Sequence, residues 1–542
     1  MGMNYGFVID NRKCIGCHAC TVACKAEHNV PLGVNRTWVK YIEKGVYPHT
    51  RRLFAVQRCN HCADAPCVEI CPVTALYTRP DGIVDFNNDR CIGCKACTQA
   101  CPYDALYIDP DTHTAAKCNY CTHRVEVGIE PACVVVCPVH AIISGDMDDP
   151  NTEIAHLLAH EQVQVRKPEK NTRPKLFYIE GDEVALTPTL APQNSDYMWS
   201  SQSQPVGHGR KRLKGQAEQH THDGSLLHTL LEKPESLLPS SKPAQSRRPL
   251  ATLLESARRV YDVPSEGVLW GWEVPAYVWT KAIAAGTVLV PFLANGLGMS
   301  QPTAATFWTG ILAGLLFLSL TGVLLVLDLD RPDRFLSVLL RPQWRSWLVR
   351  GAYIITSYGA LLGLWLIGGI GGLRVLQSFL HWPLILLAFF TALYTAFLFA
   401  QAKGRDFWQS PGLALHMLGH ALVAGSALLF LLSFPLPAMR ADRLLLARVL
   451  FGSLIFSLAV LAFELTTPHA TADAQRAAHT ITRGLLAPLF WGGVVGAGVI
   501  LPLVLLVSGS SFLIALAALL SLAGLFLNEH IWIRAPQLIP LS

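Results

Sequence analysis

Sixteen cysteines, all between Cys14 and Cys137, are the residues of this 542-residue chain best suited to chemistry. They fall into four groups of four: Cys14, Cys17, Cys20 and Cys24; Cys59, Cys62, Cys67 and Cys71; Cys91, Cys94, Cys97 and Cys101; and Cys118, Cys121, Cys133 and Cys137. Thiolates are soft metal ligands, and four of them hold one [4Fe–4S] cluster. Disulfides and structural zinc are the competing uses. CxxC loops repeated this densely read as metal ligation rather than cross-linking. Zinc ribbons pair two CxxC units but need neither a third cysteine after two residues nor a fourth after three. At four ligands each, sixteen thiolates make four [4Fe–4S] clusters.

The first and third groups show the C-x2-C-x2-C-x3-C run of bacterial ferredoxins, and Pro72, Pro102 and Pro138 follow the last cysteine of groups two to four. CIGCHACTVAC and CIGCKACTQAC are nearly the same string, which reads as two related dicluster units in one domain. By analogy with two-cluster ferredoxins, groups two and three should exchange Cys71 and Cys101, and groups one and four Cys24 and Cys137. A row of four clusters carries single electrons over a distance that one transfer cannot cover.

The elements that must position these cysteines are short. Arg52–Gln57 and Gly82–Phe86 read as strands, and Lys175–Leu186 as a further strand pair. Arg58, Lys95, Lys117 and Arg124 stand beside ligands, where positive charge raises a cluster's potential, and a solvated surface role fits any one of them at least as well. Residues 1–190 form this ferredoxin-like α+β domain. A Ser, Gln, Pro and His-rich stretch follows, and 191–262 reads as a flexible polar linker. His208, His220, His222 and His228 lie scattered in it, and Leu250–Tyr261 reads as an amphipathic piece at the membrane surface. The net charge of +5 is diffuse and forms no basic stripe, which excludes nucleic-acid binding as the main role.

Residues 263–542 read as an all-α membrane bundle. About 20 apolar residues cross a bilayer, and eight such stretches occur, near 275–297, 304–327, 349–370, 380–400, 412–433, 443–463, 485–507 and 511–528. An even number puts both ends on one face. Loops on that face carry Arg331, Arg334, Arg341, Arg345, Arg350, Lys403, Arg405, Arg476, Arg483 and Arg534, against Arg374, Arg440 and Arg443 opposite. The positive-inside rule then expects the cluster domain on the cytoplasmic face of a prokaryotic inner membrane. The absence of a leader in MGMNYGFVIDNRKC agrees, although export with a signal-bearing partner would put it in the periplasm.

Ionisable residues in spans are costly and point to function. Lys281 lies two turns into the first span, Glu464 closes the sixth, and Glu273, Asp328, Arg331 and His469 sit at helix ends on the same face. These six are the candidate quinone ligands, since a quinone needs a proton carrier or hydrogen-bond donor at each carbonyl. The loop LDLDRPDRF reads mainly as an ion-pair network. His416 and His420 are read as packing histidines, and no haem is expected.

The cysteine half resembles the four-cluster ferredoxin subunits of the DMSO reductase, polysulfide reductase and formate dehydrogenase complexes, through CIGCHACTVACKAEH, CNHCADAPCVEICPVTAL, CIGCKACTQACPYDA and CTHRVEVGIEPACVVVCPVHA. The membrane half resembles NrfD/PsrC-type polysulfide reductase membrane subunits, through PAYVWTKAIAAGTVLVP, DLDRPDRFLSVLLRPQWRSWLVRGAY and PHATADAQRAAHTITRG. These resemblances imply a catalytic partner carrying a molybdenum or tungsten bis-pterin, and a menaquinone or ubiquinone in the membrane. On this reading the chain is the non-catalytic electron-transfer and anchor subunit of a respiratory oxidoreductase. The alternative is the iron–sulfur and quinol subunit of an energy-coupling assembly resembling alternative complex III, with cytochrome partners.

Overall fold

The computed structural model describes residues 3–46, 48–192, 257–263 and 267–542. Two compact units result, Met1–Gly267 with Pro540–Ser542, and Val268–Ile539. Most of the expected linker, with His208, His220, His222 and His228, lies outside the described residues.

The described strands of the first unit are β1 (Tyr5–Asp10), β2 (Thr37–Val46), β3 (His49–Arg58), β4 (Leu76–Thr78), β5 (Val84–Phe86), β6 (Leu106–Ile108), β7 (Ala115–Lys117), β8 (Ile142–Asp146), β9 (Val163–Gln164), β10 (Leu176–Ile179) and β11 (Ala257–Tyr261). They form sheets in the orders β8-β1-β10-β9 and β11-β2-β3, with hairpins β4-β5 and β6-β7. Phe7, Ile9, Val56, Ile142, Leu176 and Tyr178 bring the two larger sheets into one core. Strands β3 and β5 fall where they were expected. Only the first half of Lys175–Leu186 is a strand; Glu183–Leu186 is a helical turn capped by Asp182.

Strand β11 corrects the reading of Leu250–Tyr261 as a surface amphipathic piece. Ala257 pairs with Lys44 and Arg259 with Ile42, so this end of the expected linker adds an edge to the cluster unit. Lys40 and Asp262 fasten it with a buried ion pair of 2.7 Å, and Arg258 bonds Glu43 at 2.8 Å. A five-residue stretch is too short for its pattern to tell strand from helix, and the free edge of β2 decides between them.

The second unit contains the eight membrane spans: Glu273–Gly296, Ala304–Leu327, Trp347–Ile370, Arg374–Gln401, Leu413–Leu432, Arg443–Thr466, Leu489–Val507 and Ser511–Gln537. The first span is buried almost throughout and packs against the second, fourth, fifth and eighth. A methyl at Gly286 would collide with the carbonyl of Ala421, and one at Gly425 with the backbone of Gly286. Small residues thus bring the first and fifth spans into backbone contact, as in other lipid-embedded helix pairs. Large apolar residues such as Leu316, Val323, Phe379 and Phe512 face outward, which suits a hydrocarbon solvent. Leu489–Ile500 winds as a π-helix before continuing as α-helix, an unusually long stretch of a rare form.

Candidate cluster-binding and membrane sites

Local backbone chemistry shapes each cysteine loop. Gly16 and Gly93 both take φ 69°, and His18 and Lys95 take 60° and 59°, so the two CIGC strings repeat in conformation as well as letters. A side chain at Gly16 would also run into the ring of Phe54. Helices Ala19–His28, Pro66–Ile70 and Ala96–Ala100 then carry the next cysteines. The second and third stop at Cys71 and Cys101, whose extended conformation is the one a following proline imposes. The chain turns back there, and the amides of Ala75 and Ala141 donate to Cys71 and Cys137 Sγ, each at 3.2 Å.

Cys17 is exposed, Cys14, Cys94 and Cys137 are partly so, and the other cysteines are buried. Burial raises the Cys14, Cys24, Cys67 and Cys71 thiols, and their neighbours add to the effect in a telling pattern. Cys14 feels Cys137 as well as Cys17. Cys24, also raised by burial, is pushed further by Cys118, Cys133 and Cys121. Cys67, well above the usual thiol range through burial, feels Cys101, Cys59 and Cys62. Cys71 is raised by burial and then by Cys91. Cys71 also lines one cavity with Cys91, Cys94 and Cys97. Cys24, Cys101 and Cys71 each stand with the first three cysteines of another group, and Cys137 with Cys14, which is consistent with the pairing that analogy with two-cluster ferredoxins gives.

These thiols surround shared space rather than a point. Among the described residues, no group of three or more His, Cys, Asp or Glu side chains is placed to hold a single metal ion. A polynuclear cluster, with its own sulfide core between the ligands, fits four thiols around one cavity, as at Cys71, Cys91, Cys94 and Cys97.

Arg58 is completely buried, with Nη1 3.0 Å from Cys133 Sγ and the guanidinium 4.7 Å from the Phe7 ring centre. Burial opposes its charge, but Cys133, Cys118 and Cys20 outweigh that and raise it. Its Nε and Nη2 have no hydrogen-bond partner. Lys117 is also buried and donates to the carbonyls of Val84 and Cys118, whereas Arg124 pairs with Glu27 at 3.1 Å. His28 Nε2 lies 3.1 Å from Cys121 Sγ, and burial, then Arg36 and His123, push it down to about 4.

In the membrane unit, Lys281 is 1% exposed, donates to Ala392 O at 3.1 Å and to Thr395 Oγ1, and lies 4.9 Å from the Tyr394 ring centre. Glu464 is buried too, where it accepts from His416 Nδ1 at 2.6 Å and from Ser410 Oγ at 3.4 Å. His416 and His420 are therefore more than the packing histidines expected. His420 Nδ1 meets Glu529 Oε1 at 2.6 Å, and its Nε2 lies 3.1 Å from Asn528 Nδ2. A buried imidazole needs polar partners, and two carboxylates provide them.

Glu529 escapes a hydropathy reading that ends the last span at 528, because the helix runs on to Gln537. Apolar Ile531, Trp532 and Ile533 immediately beyond it were the available signal. His469 stacks obliquely on Phe407 at 5.8 Å, Phe407 on Trp532 at 4.6 Å, and Trp532 on His416 at 4.7 Å. His416 Nε2, His469 Nε2 and Trp532 Nε1 are buried without partners. Glu273 is half-buried at the start of the first span, and Arg331 pairs with Asp333 at 3.1 Å within the Asp/Arg loop after Asp328.

Residues 263–540 match the family described as Polysulphide reductase, NrfD. This protein belongs to that family. Residues 13–76 and 50–147 each match a 4Fe-4S dicluster domain, so the family membrane domain follows an iron–sulfur region in one polypeptide. The B subunit of tetrathionate reductase from Salmonella typhimurium is 44% identical over 190 residues, which are 34% of this chain and 76% of the relative. The B polypeptide of polysulfide reductase from Wolinella succinogenes is 42% identical over 182 residues, 33% of this chain and 95% of the relative. The arsenate respiratory reductase iron-sulfur subunit of Shewanella is 33% identical over 227 residues, 33% of this chain and 96% of the relative.

Proposed function

We propose that this chain is the electron-transfer and membrane-anchor subunit of a quinone-linked respiratory oxidoreductase. Its four [4Fe–4S] clusters would pass single electrons between a catalytic molybdenum or tungsten bis-pterin subunit and menaquinone or ubiquinone. The observation that carries the reading is the exchange of last cysteines. It gives the ligand sets Cys14, Cys17, Cys20 and Cys137; Cys59, Cys62, Cys67 and Cys101; Cys91, Cys94, Cys97 and Cys71; and Cys118, Cys121, Cys133 and Cys24. Because each cluster borrows a ligand from another group, paired clusters are held close enough for tunnelling. The names of the relatives, each a subunit of a reductase, support a partner that holds the substrate.

The quinone head group fits best beside the three partnerless atoms His416 Nε2, His469 Nε2 and Trp532 Nε1, with Phe407 as an aromatic wall. Glu464 and His469 of the sequence-based set belong here. Lys281 lies deeper, and Glu273, Asp328 and Arg331 are proposed as the polar rim. The arginine-rich loops favour the cytoplasmic side for this end.

Cys24→Ser tests the carrying observation. It should alter the EPR signal of the cluster held by Cys118, Cys121 and Cys133 and spare that of Cys14, Cys17 and Cys20; the reverse would refute the exchange. A molybdopterin protein should co-purify with the chain. Protease applied to intact cells should leave 191–249 uncut.

A further inference from the structure

We propose that the adjacent pairs Glu464–His416 and His420–Glu529 form a store for the two protons that quinone chemistry exchanges. This rests on the quinone reading above. The fifth span contributes both histidines one turn apart, the sixth contributes Glu464 and the eighth Glu529. All four side chains are at most 3% exposed. Each imidazole meets its carboxylate at 2.6 Å, and the two ring centres are 4.1 Å apart.

The hydrogen bonds define where the protons reside. Asn528 Nδ2 donates to His420 Nε2, which leaves the His420 proton on Nδ1, directed at Glu529 Oε1. His416 likewise directs Nδ1 at Glu464, so its Nε2 is left facing the aromatic group of Phe407 and Trp532. Ser410 Oγ reaches Glu464 Oε1 from the loop before the fifth span.

A carboxylate buried alone is very costly; in each pair the neutral imidazole keeps its Nδ1 proton directed at one carboxyl oxygen, and the stored proton sits on the other, Glu529 Oε2, which has no partner, and Glu464 Oε1 beside Ser410 Oγ. Reduction of one quinone to quinol consumes two electrons and two protons. The clusters supply the electrons, and each pair holds one proton: Glu464–His416 beside the head-group position, Glu529–His420 one turn behind it. Oxidation of quinol returns both. Beyond Lys281 the first span enters a core of Ala284, Ala285, Val288, Phe292, Tyr358 and Leu362.

The test is infrared difference spectroscopy of the intact complex in nanodiscs, poised electrochemically between its oxidised and quinol-reduced states. Carboxyl-labelled glutamate identifies the glutamate bands in the wild type, so no variant has to fold for the first result. Two protonated-carboxyl bands should change with the redox state, one lost in Glu464→Gln and the other in Glu529→Gln. Both variants should slow quinone turnover by roughly 100-fold with cluster EPR signals intact, and Glu529→Gln, away from the head-group position, should leave binding of a fluorescent quinone analogue unchanged. A wild type without labelled bands, or Gln variants with unchanged bands and turnover, would overturn the store alone. A wild type that does not bind the analogue would overturn the quinone reading and the store with it.

Discussion

Arg58 of the cluster unit and the glutamates of the membrane unit are buried in opposite ways. In the cluster unit Arg58 is buried against three thiols, with the cation on the Phe7 face and two of its nitrogens unpaired. In the membrane unit, Glu464 and Glu529 each have a histidine, and Lys281 has a carbonyl and a hydroxyl. The first pattern belongs to a domain folded around an outside charge, which an anionic iron–sulfur cluster with thiolate ligands supplies. The second belongs to a bundle that neutralises its own charges, because lipid offers no substitute. One unit leaves a buried cation for its clusters to balance, and the other pairs its buried ionisable groups within the bundle.

That contrast can be broken most decisively by removing iron. Chelation under reducing conditions should abolish the β-sheet signal of the cluster unit, since ligand binding and folding are coupled in small metal domains. The helical signal of the spans should survive in the same circular-dichroism scan. Next in size, Glu529→Ala should destabilise the bundle by about 3–5 kcal/mol, because removing one member of a buried pair strands the other. A lowered thermal midpoint of the helical signal, with cluster absorbance unchanged, is the expected readout.

Arg58→Gln should remove a charge-assisted hydrogen bond of about 1.5–3 kcal/mol to a cluster ligand. The midpoint potential of the cluster bound by Cys133 should fall in an EPR-monitored titration, with its iron retained. The smallest effect sharpens the packing account. Gly286→Ala inserts one methyl against the Ala421 carbonyl, and overpacking of this kind costs about 1–3 kcal/mol, read as a modest loss in thermal stability.

Much of this was legible in the sequence for physical reasons. Thiol spacing is dictated by cluster geometry, so the four cysteine groups could be read directly. Hydropathy is dictated by the bilayer, so all eight spans were placed within a few residues at most boundaries. What escaped depends on contacts made across the fold. Glu529 sits where an apolar window gives out, though the helix does not. His416 and His420 read as packing residues because their carboxylate partners come from the sixth and eighth spans. Ala257–Tyr261 became a strand only because β2 offers it an edge. Arg58 read equally well as a surface cation, and only burial separates the two roles.

The central claim is that electrons pass from the clusters of this chain to a membrane quinone. Stopped-flow mixing of the dithionite-reduced complex with a menaquinone analogue tests it directly, through recovery of cluster absorbance. The account predicts rapid reoxidation in the wild type, and slow reoxidation in Lys281→Ala and Glu464→Gln with their EPR signals unchanged. Clusters that stay reduced in the wild type, with the analogue present in excess, would contradict it.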